Sequence, residues 1–297
     1  MVEAESLDLI VKLALAEDLS VEYEKDYPGF LRGAHIDLED VTSDAIFTDE
    51  TGIAEVVAKS GGVLSGSEAF LRVYELLDPE LEVEPGKKDG EAFGKGATVF
   101  TLRGRVKTIL AGERTALNFI GHLSAIATEV RGLCSVLEGT KIRILDTRKT
   151  HPGLRRLEKK AVVHGGGQNH RMGLFDMVLI KDNHIDRCGS ITEAVSRVRD
   201  RYRDRYKIEV EARTLADVEE AAGTGIERIM LDNMRPKAVK EAVRLVGGRT
   251  QVEVSGNMTR RKIQRLKRFG VDYVSVGYIT HSAGHCDFSL RMSRSRG

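Results

Sequence analysis

Residues 147–184 read TRKTHPGLRRLEKKAVVHGGGQNHRMGLFDMVLIKDNH. The stretch carries eight cations (Arg148, Lys149, Arg155, Arg156, Lys159, Lys160, Arg171 and Lys181) and four histidines against the acids Glu158, Asp176 and Asp182, in a chain of formal charge +1. Cations gathered in one place on a near-neutral chain either solvate a surface or hold an anion. Their placement favours the anion. Arg148 and Lys149 follow the apolar run 142–145, and Lys181 follows the run 177–180, so these cations stand where buried strands end. In α/β folds the carboxyl ends of the strands open onto the ligand crevice.

Short apolar runs of the same kind recur at 208–210, 229–231, 252–254 and 273–276, and helical patterns at 190–203, 215–222, 236–246 and 259–269 separate most of them. Repeated strand–helix units predict a parallel sheet, and this many in a row favour closure into a barrel. Six runs are clear and a weaker seventh lies near 161–164, which predicts an incomplete α/β barrel of about seven strands.

Upstream, residues 105–137 read as one or two long helices, with Leu110, Leu117, Ile120 and Leu123 on one face, bridging two domains. Before the bridge the pattern is irregular. A helix capped by Ser6 and reaching Asp18, strands at 53–58, 63–64, 81–83 and 98–102, and an amphipathic helix over 66–77 describe an α+β domain. The polar-aromatic segment 20–38, turned at Pro28-Gly29, reads as a long loop or insertion without a functional reading, and the basic tail from Arg291 as a solvated, frayed end. The predicted class is therefore α/β: an N-terminal α+β sandwich domain over 1–115, which the tail 282–297 can rejoin, followed by the barrel over 116–281.

At 297 residues there is room for two domains, each with a core. Mixed charge of both signs argues against a nucleic-acid partner bound by bulk charge. Three cysteines without metal-ligand spacing predict a reducing, cytoplasmic setting. The apolar start 9–16 contains Lys12 behind an acidic opening, unlike a signal peptide, and no run approaches the ~20 apolar residues of a membrane span.

Each clear strand is followed by groups suited to anions or metal: Asp146, Thr147, Arg148 and Lys149; Lys181; Glu211; Asp232; Ser255-Gly256-Asn257; Gly277. In a barrel these meet at one mouth. Arg114, Arg148 and Arg171 with Lys149 and Lys181 exceed the needs of a monoanion, so the ligand is expected to be multiply anionic. Glu211 and Asp232 bring negative charge to the same mouth. Mg2+ with a phosphorylated sugar reconciles the two signs, the acids meeting the metal indirectly through bound substrate or water. Ser255 to Asn257 and Gly277 offer backbone N–H groups that a phosphate can approach closely. Taken singly, Gly165-Gly166-Gly167 is a turn, and His170, His184 and His281 are hydrogen-bonding scaffold. Joint placement at strand ends carries the functional reading.

With these residues in view, the chain resembles the quinolinate phosphoribosyltransferase family. The likeness rests on DVTSDA from Asp40, GVLSG from Gly62, ERTALNF from Glu113, TRKT with PGLR and LEK from Thr147, and GGG and NHRMGL from Gly165. It continues through LIKDNH from Leu179, EVEA from Glu209, IMLDNM from Ile229, EVSGN from Glu253, and VDYVSVG with ITHSA from Val271. LIKDNH separates it from molybdenum-transport-associated relatives that share the arginine-lysine and glycine-rich motifs.

The resemblance implies transfer of phosphoribosyl from phosphoribosyl pyrophosphate to quinolinate with decarboxylation, in NAD biosynthesis. It implies that Arg148, His170, Arg171 and Lys181 hold the two carboxylates of quinolinate, with Arg114 reaching in from a partner subunit of a homodimer or higher homo-oligomer. Lys149, Lys181, Glu211 and Asp232 would line the phosphoribosyl pyrophosphate and Mg2+ site, with Lys149, Glu211 and Asp232 catalytic, and Ser255 to Asn257 with Gly277 would cradle a phosphate. The segment 20–38 departs from the family pattern. Two rivals remain: a Schiff-base barrel aldolase using Lys149 or Lys181 as its amine, and a non-catalytic oxyanion-binding module related to molybdenum transport.

Overall fold

The computed structural model describes residues 2–20 and 39–293. The insertion expected over 20–38 falls outside them except at its edge, as does the end of the tail beyond Ser293. The described residues form two compact units, one running to Thr128 and resuming at Ala283, the other spanning Glu129–Ser282.

The first unit is built on an antiparallel sheet. Its strands are β1 (Thr51–Ala58), β2 (Gly62–Val63), β3 (Glu82–Pro85), β4 (Ala92–Phe93) and β5 (Thr98–Arg105), and the returning strand is β12 (Phe288–Met292). The main sheet runs β12-β1-β5-β3, while β2 and β4 pair separately. Helices Val2–Leu19 and Ser67–Leu77 cover it, and Val106–Val136 starts here as one helix of 31 residues. The first helix begins before Ser6, so the expected cap lies inside it. Alternate residues of β1 and β5 are buried, placing Val56, Phe100 and Leu102 against Val11, Leu15, Phe70 and Tyr74. The Phe70 and Phe100 rings stack at 4.1 Å. Burying side chains of this size contributes about 1.5–3 kcal/mol each.

The second unit contains β6 (Arg143–Leu145), β7 (Val178–Ile180), β8 (Ile208–Ala212), β9 (Arg228–Asp232), β10 (Gln251–Ser255) and β11 (Tyr273–Ser275) in one sheet. The order is β6-β11-β10-β9-β8-β7, and every pairing is parallel. Six parallel strands joined through helices make an incomplete α/β barrel. The seventh strand expected near 161–164 is instead the end of helix Arg155–His164. Ala161 and Val162 are both buried there, one turn on from the buried Leu157, Glu158 and Lys159; neighbouring residues buried together at one-turn intervals follow the helical period, where a half-buried strand would alternate. What remains of strand pairing on that side is an isolated parallel bridge between Leu145 and Gln168.

Period-two alternation decides what the barrel encloses. Ile208, Val210 and Ala212 lie on one face of β8 and Glu209 and Glu211 on the other; β9 sets Arg228, Met230 and Asp232 against Ile229 and Leu231, and β10 sets Glu253 and Ser255 against Val252 and Val254. The polar members line the enclosed side.

Candidate active site

The carboxyl ends of these strands surround a cavity of about 820 Å3. Of the residues singled out in the sequence, Thr147, Arg148, Lys149, His170, Arg171, Lys181, Glu211, Asp232, Ser255, Gly256, Asn257 and Gly277 all line it. Arg114 does not. It is exposed on Val106–Val136 in the first unit. Asn233 and Tyr278 also line the cavity and escaped the sequence reading, and His281, read from the sequence as hydrogen-bonding scaffold, lines it as well. The signal was available, since Asn233 follows Asp232 directly and Tyr278 and His281 follow Gly277 by one and four residues.

Arg148 and Arg171 form the cationic wall. Arg148 Nε is buried without a hydrogen-bond partner. Burial and then the charge of Arg148 draw the Arg171 guanidinium below its usual range. Two neighbouring guanidiniums, one with an unmet buried donor, are stabilised by an anion placed between them. Arg171 Nη1 is steadied by donating to the Met177 carbonyl at 3.3 Å. Lys149 is exposed, and its carbonyl accepts the Thr280 hydroxyl at 2.7 Å, which fixes the loop after β6 against the short helix Tyr278–His281.

Across the cavity Lys181 Nζ donates to Glu211 Oε2 at 3.0 Å. Lys181 also caps helix Asp182–Cys188 in a reciprocal bond with His184, whose Nδ1 accepts the Lys181 N–H at 2.9 Å, so His184 is scaffold. Asp232 accepts from Asn233 Nδ2 at 2.8 Å. The turn after β10 is tight. Gly256 has φ +99°, and a Cβ there would lie 2.2 Å from Asn233 Oδ1. Only glycine fits, and the bare backbone it leaves can approach a phosphate. Lys262 Nζ holds the Asn257 carbonyl at 2.8 Å, adding a cation at this edge.

Beneath the cavity lies a buried polar layer. Lys159 and Asp146 are ion-paired and almost wholly enclosed. Burial pushes the Asp146 carboxyl up to about 6 despite Lys159, and draws the Lys159 amine down. Asp146 accepts the His170 main-chain N–H at 2.8 Å, and Lys159 donates to the His170 carbonyl at 3.0 Å. Glu209 and Glu253 are fully buried beside the His170 ring. Burial is the main cause that lifts both carboxyls to about 7, with Glu209 itself raising Glu253. Neither Glu209 nor Glu253 stands out in sequence; the alternation in IEVEA and QVEVS puts each on the strand face opposite the valines, and the fold makes that face the enclosed one.

Models of quinolinate phosphoribosyl transferase domains match both parts of the chain, the N-terminal domain over residues 40–124 and the C-terminal domain over 126–291. A probable nicotinate-nucleotide pyrophosphorylase (carboxylating) of Bacillus subtilis is 42% identical over 256 residues, covering 86% of this chain and 89% of the relative. The chloroplastic nicotinate-nucleotide pyrophosphorylase (carboxylating) of Arabidopsis thaliana is 38% identical, covering 96% and 82%. Among solved structures, the nicotinate-nucleotide pyrophosphorylase of Francisella tularensis superposes with a TM-score of 0.89 at 34% identity, covering 97% of this chain and 96% of that one. Strand order, cavity lining and similarity over both units agree, and the chain belongs to the quinolinate phosphoribosyltransferase family.

Proposed function

We propose that the chain transfers the phosphoribosyl group of phosphoribosyl pyrophosphate to quinolinate with loss of carbon dioxide, giving nicotinate mononucleotide and pyrophosphate for NAD biosynthesis. One observation carries this reading: a single cavity is lined by Arg148, Arg171, Lys149 and Lys181 and also by Glu211 and Asp232. A dicarboxylate needs the first set. A sugar that gains positive charge as pyrophosphate leaves needs the second.

In this reading Arg148 and Arg171 grip the quinolinate carboxylates and aim the ring nitrogen at the anomeric carbon of the ribose. The nitrogen lone pair forms the new bond while the bond to pyrophosphate breaks, so this step requires no general base. Glu211, steadied by Lys181 at 3.0 Å, and Asp232 face the ribose and stabilise the charge that develops on it. Lys149 and the backbone from Ser255 to Asn257, with Gly277, receive the phosphates. The ring nitrogen is then cationic and stabilises the electron pair left on the adjacent carbon when the carboxylate departs as carbon dioxide; that carbon takes up a proton.

Glu211 and Asp232 also fit Mg2+ in a limited sense. Each already has a polar neighbour, Lys181 or Asn233, so they suit an ion held mainly by substrate phosphates and water and not one caged by the protein. When bound, Mg2+ would neutralise charge on the leaving pyrophosphate.

An exposed Arg114 that lines no part of its own chain's cavity supports a homodimer or larger homo-oligomer in which it completes the site of another subunit. Among the described residues no helix is long and apolar enough to cross a membrane, and Cys134, Cys188 and Cys286 are free thiols, which supports a cytoplasmic setting.

The reaction is tested by mixing the chain with quinolinate and phosphoribosyl pyrophosphate and following pyrophosphate and carbon dioxide. Equal release of both supports the reading. Binding of oxyanions without release would favour the transport-related module, and borohydride trapping of a carbonyl compound on Lys149 or Lys181 would favour the aldolase. The ion pair of Lys181 with Glu211 argues against a free amine there.

A further inference from the structure

The polar layer under the cavity continues down the inside of the barrel behind the groups placed in the reaction, with Glu209 near enough to Arg171 and Glu211 for their charges to act on it. Arg228, on the enclosed face of β9, lies with its guanidinium 4.1 Å from the centre of the Tyr273 ring and donates from Nη1 to Glu253 Oε2 at 3.0 Å. Glu253 neighbours Glu209, and the two carboxylates stand 3.7 and 2.9 Å from His170 Nε2. Both Oε atoms of Glu209 and Oε1 of Glu253 are buried without a hydrogen bond, and His170 Nε2 is close to Glu209 but out of line for one. On the other side of the ring, Nδ1 accepts the main-chain N–H of Arg171 at 2.7 Å.

That last bond fixes the state of the imidazole. A nitrogen that accepts carries no proton, so the ring proton belongs on Nε2, where it faces the two glutamates. Both ring nitrogens of His170 are thereby turned to the protein, and the ring braces the main chain of Arg171. Enclosing two acids with one arginine brings no packing gain over leucine and carries a desolvation cost. Buried acids of this kind behind a site commonly orient the groups in front of them.

We propose that Glu209 and Glu253, anchored by Arg228, are positioning residues: they set the His170 ring and through it Arg171, and so govern the fit of quinolinate without touching it. The inference rests on the role assigned above to Arg171. Glu209 is its most direct member, because it is the carboxylate nearest Nε2.

Steady-state kinetics of Glu209→Leu and Glu209→Gln test it. Glutamine retains an oxygen able to accept the Nε2 proton, whereas leucine retains the bulk alone. Glu209→Leu should raise KM for quinolinate at least tenfold and leave KM for phosphoribosyl pyrophosphate within twofold, while Glu209→Gln stays within threefold of the wild type for both. A folded Glu209→Leu with unchanged quinolinate KM, equal rises in both KM values, or a glutamine variant as impaired as the leucine one would overturn the inference. Should Glu209→Leu not fold, Arg228→Gln replaces it with the same selective loss expected, and no selective loss there overturns the inference equally. A wild-type chain that makes no product from quinolinate would instead remove the reading beneath it.

Discussion

Replacing Arg171 by methionine keeps the aliphatic stem and removes the guanidinium that faces quinolinate. Among the described residues the one hydrogen bond from this guanidinium to protein is the long one to the Met177 carbonyl, 3.3 Å, and its remaining attraction is the charge of Glu209 and Asp176. Removing it also relieves the like charge of Arg148, which is one cause of the depressed Arg171 value. With a carboxylate bound, the guanidinium supplies charge-assisted bonds worth about 1.5–3 kcal/mol each. Two such bonds total about 3–6 kcal/mol, and about 1–3 kcal/mol of relieved repulsion from Arg148 in the free chain leaves a net loss of about 2–3 kcal/mol. This corresponds to a quinolinate Kd roughly 30–150-fold weaker. Calorimetric titration of wild type and Arg171→Met with quinolinate reads this directly, and titration with phosphoribosyl pyrophosphate is the control, expected to change less than threefold. A quinolinate Kd within threefold of wild type, or an equal loss for both ligands, would refute the reasoning.

Glu211→Gln should lower turnover by a larger factor than it weakens quinolinate, because the lost charge faces the ribose; stopped-flow and calorimetry together check this, and the opposite ranking moves Glu211 away from the sugar. Gly256→Ala meets both a positive φ and the Asn233 side chain at 2.2 Å, so it should cost about 1–3 kcal/mol of stability and weaken phosphoribosyl pyrophosphate more than quinolinate. Urea unfolding and paired titrations measure both. Glu253 carries a pH signature. Its folded value is raised from 4.5 to about 7, so between those values the native chain keeps a proton that the unfolded chain has lost, and its contribution to stability falls as pH rises through that window. The wild-type unfolding free energy minus that of Glu253→Gln should therefore decline from about pH 4.5 to about pH 7, and a level difference counts against it.

Much of the site was legible because strand ends announce themselves in sequence. Lys181 follows an apolar run, Asp232 ends one, and Ser255-Gly256-Asn257 closes another, and in a parallel barrel every such end faces the same way. The run at 161–164 misled because four apolar-rich residues fit the end of an amphipathic helix as well as a short strand, and only the burial of Leu157 beside Ala161 and Val162 separates the two.

The one-dimensional pattern by itself determined the barrel class and the mouth at the strand ends, since both depend on period and order along the chain, while its motifs carried the resemblance to the family. Tertiary structure alone decided what lies within: that Glu209, Glu253 and Arg228 share one enclosed layer, that both nitrogens of His170 turn inward, and that Asn233 seals the turn at Gly256. The physical reason is distance along the chain. Arg228 and Glu253 are 25 residues apart and His170 and Glu209 are 39 apart, and only parallel pairing of β8, β9 and β10 in one register brings their side chains together.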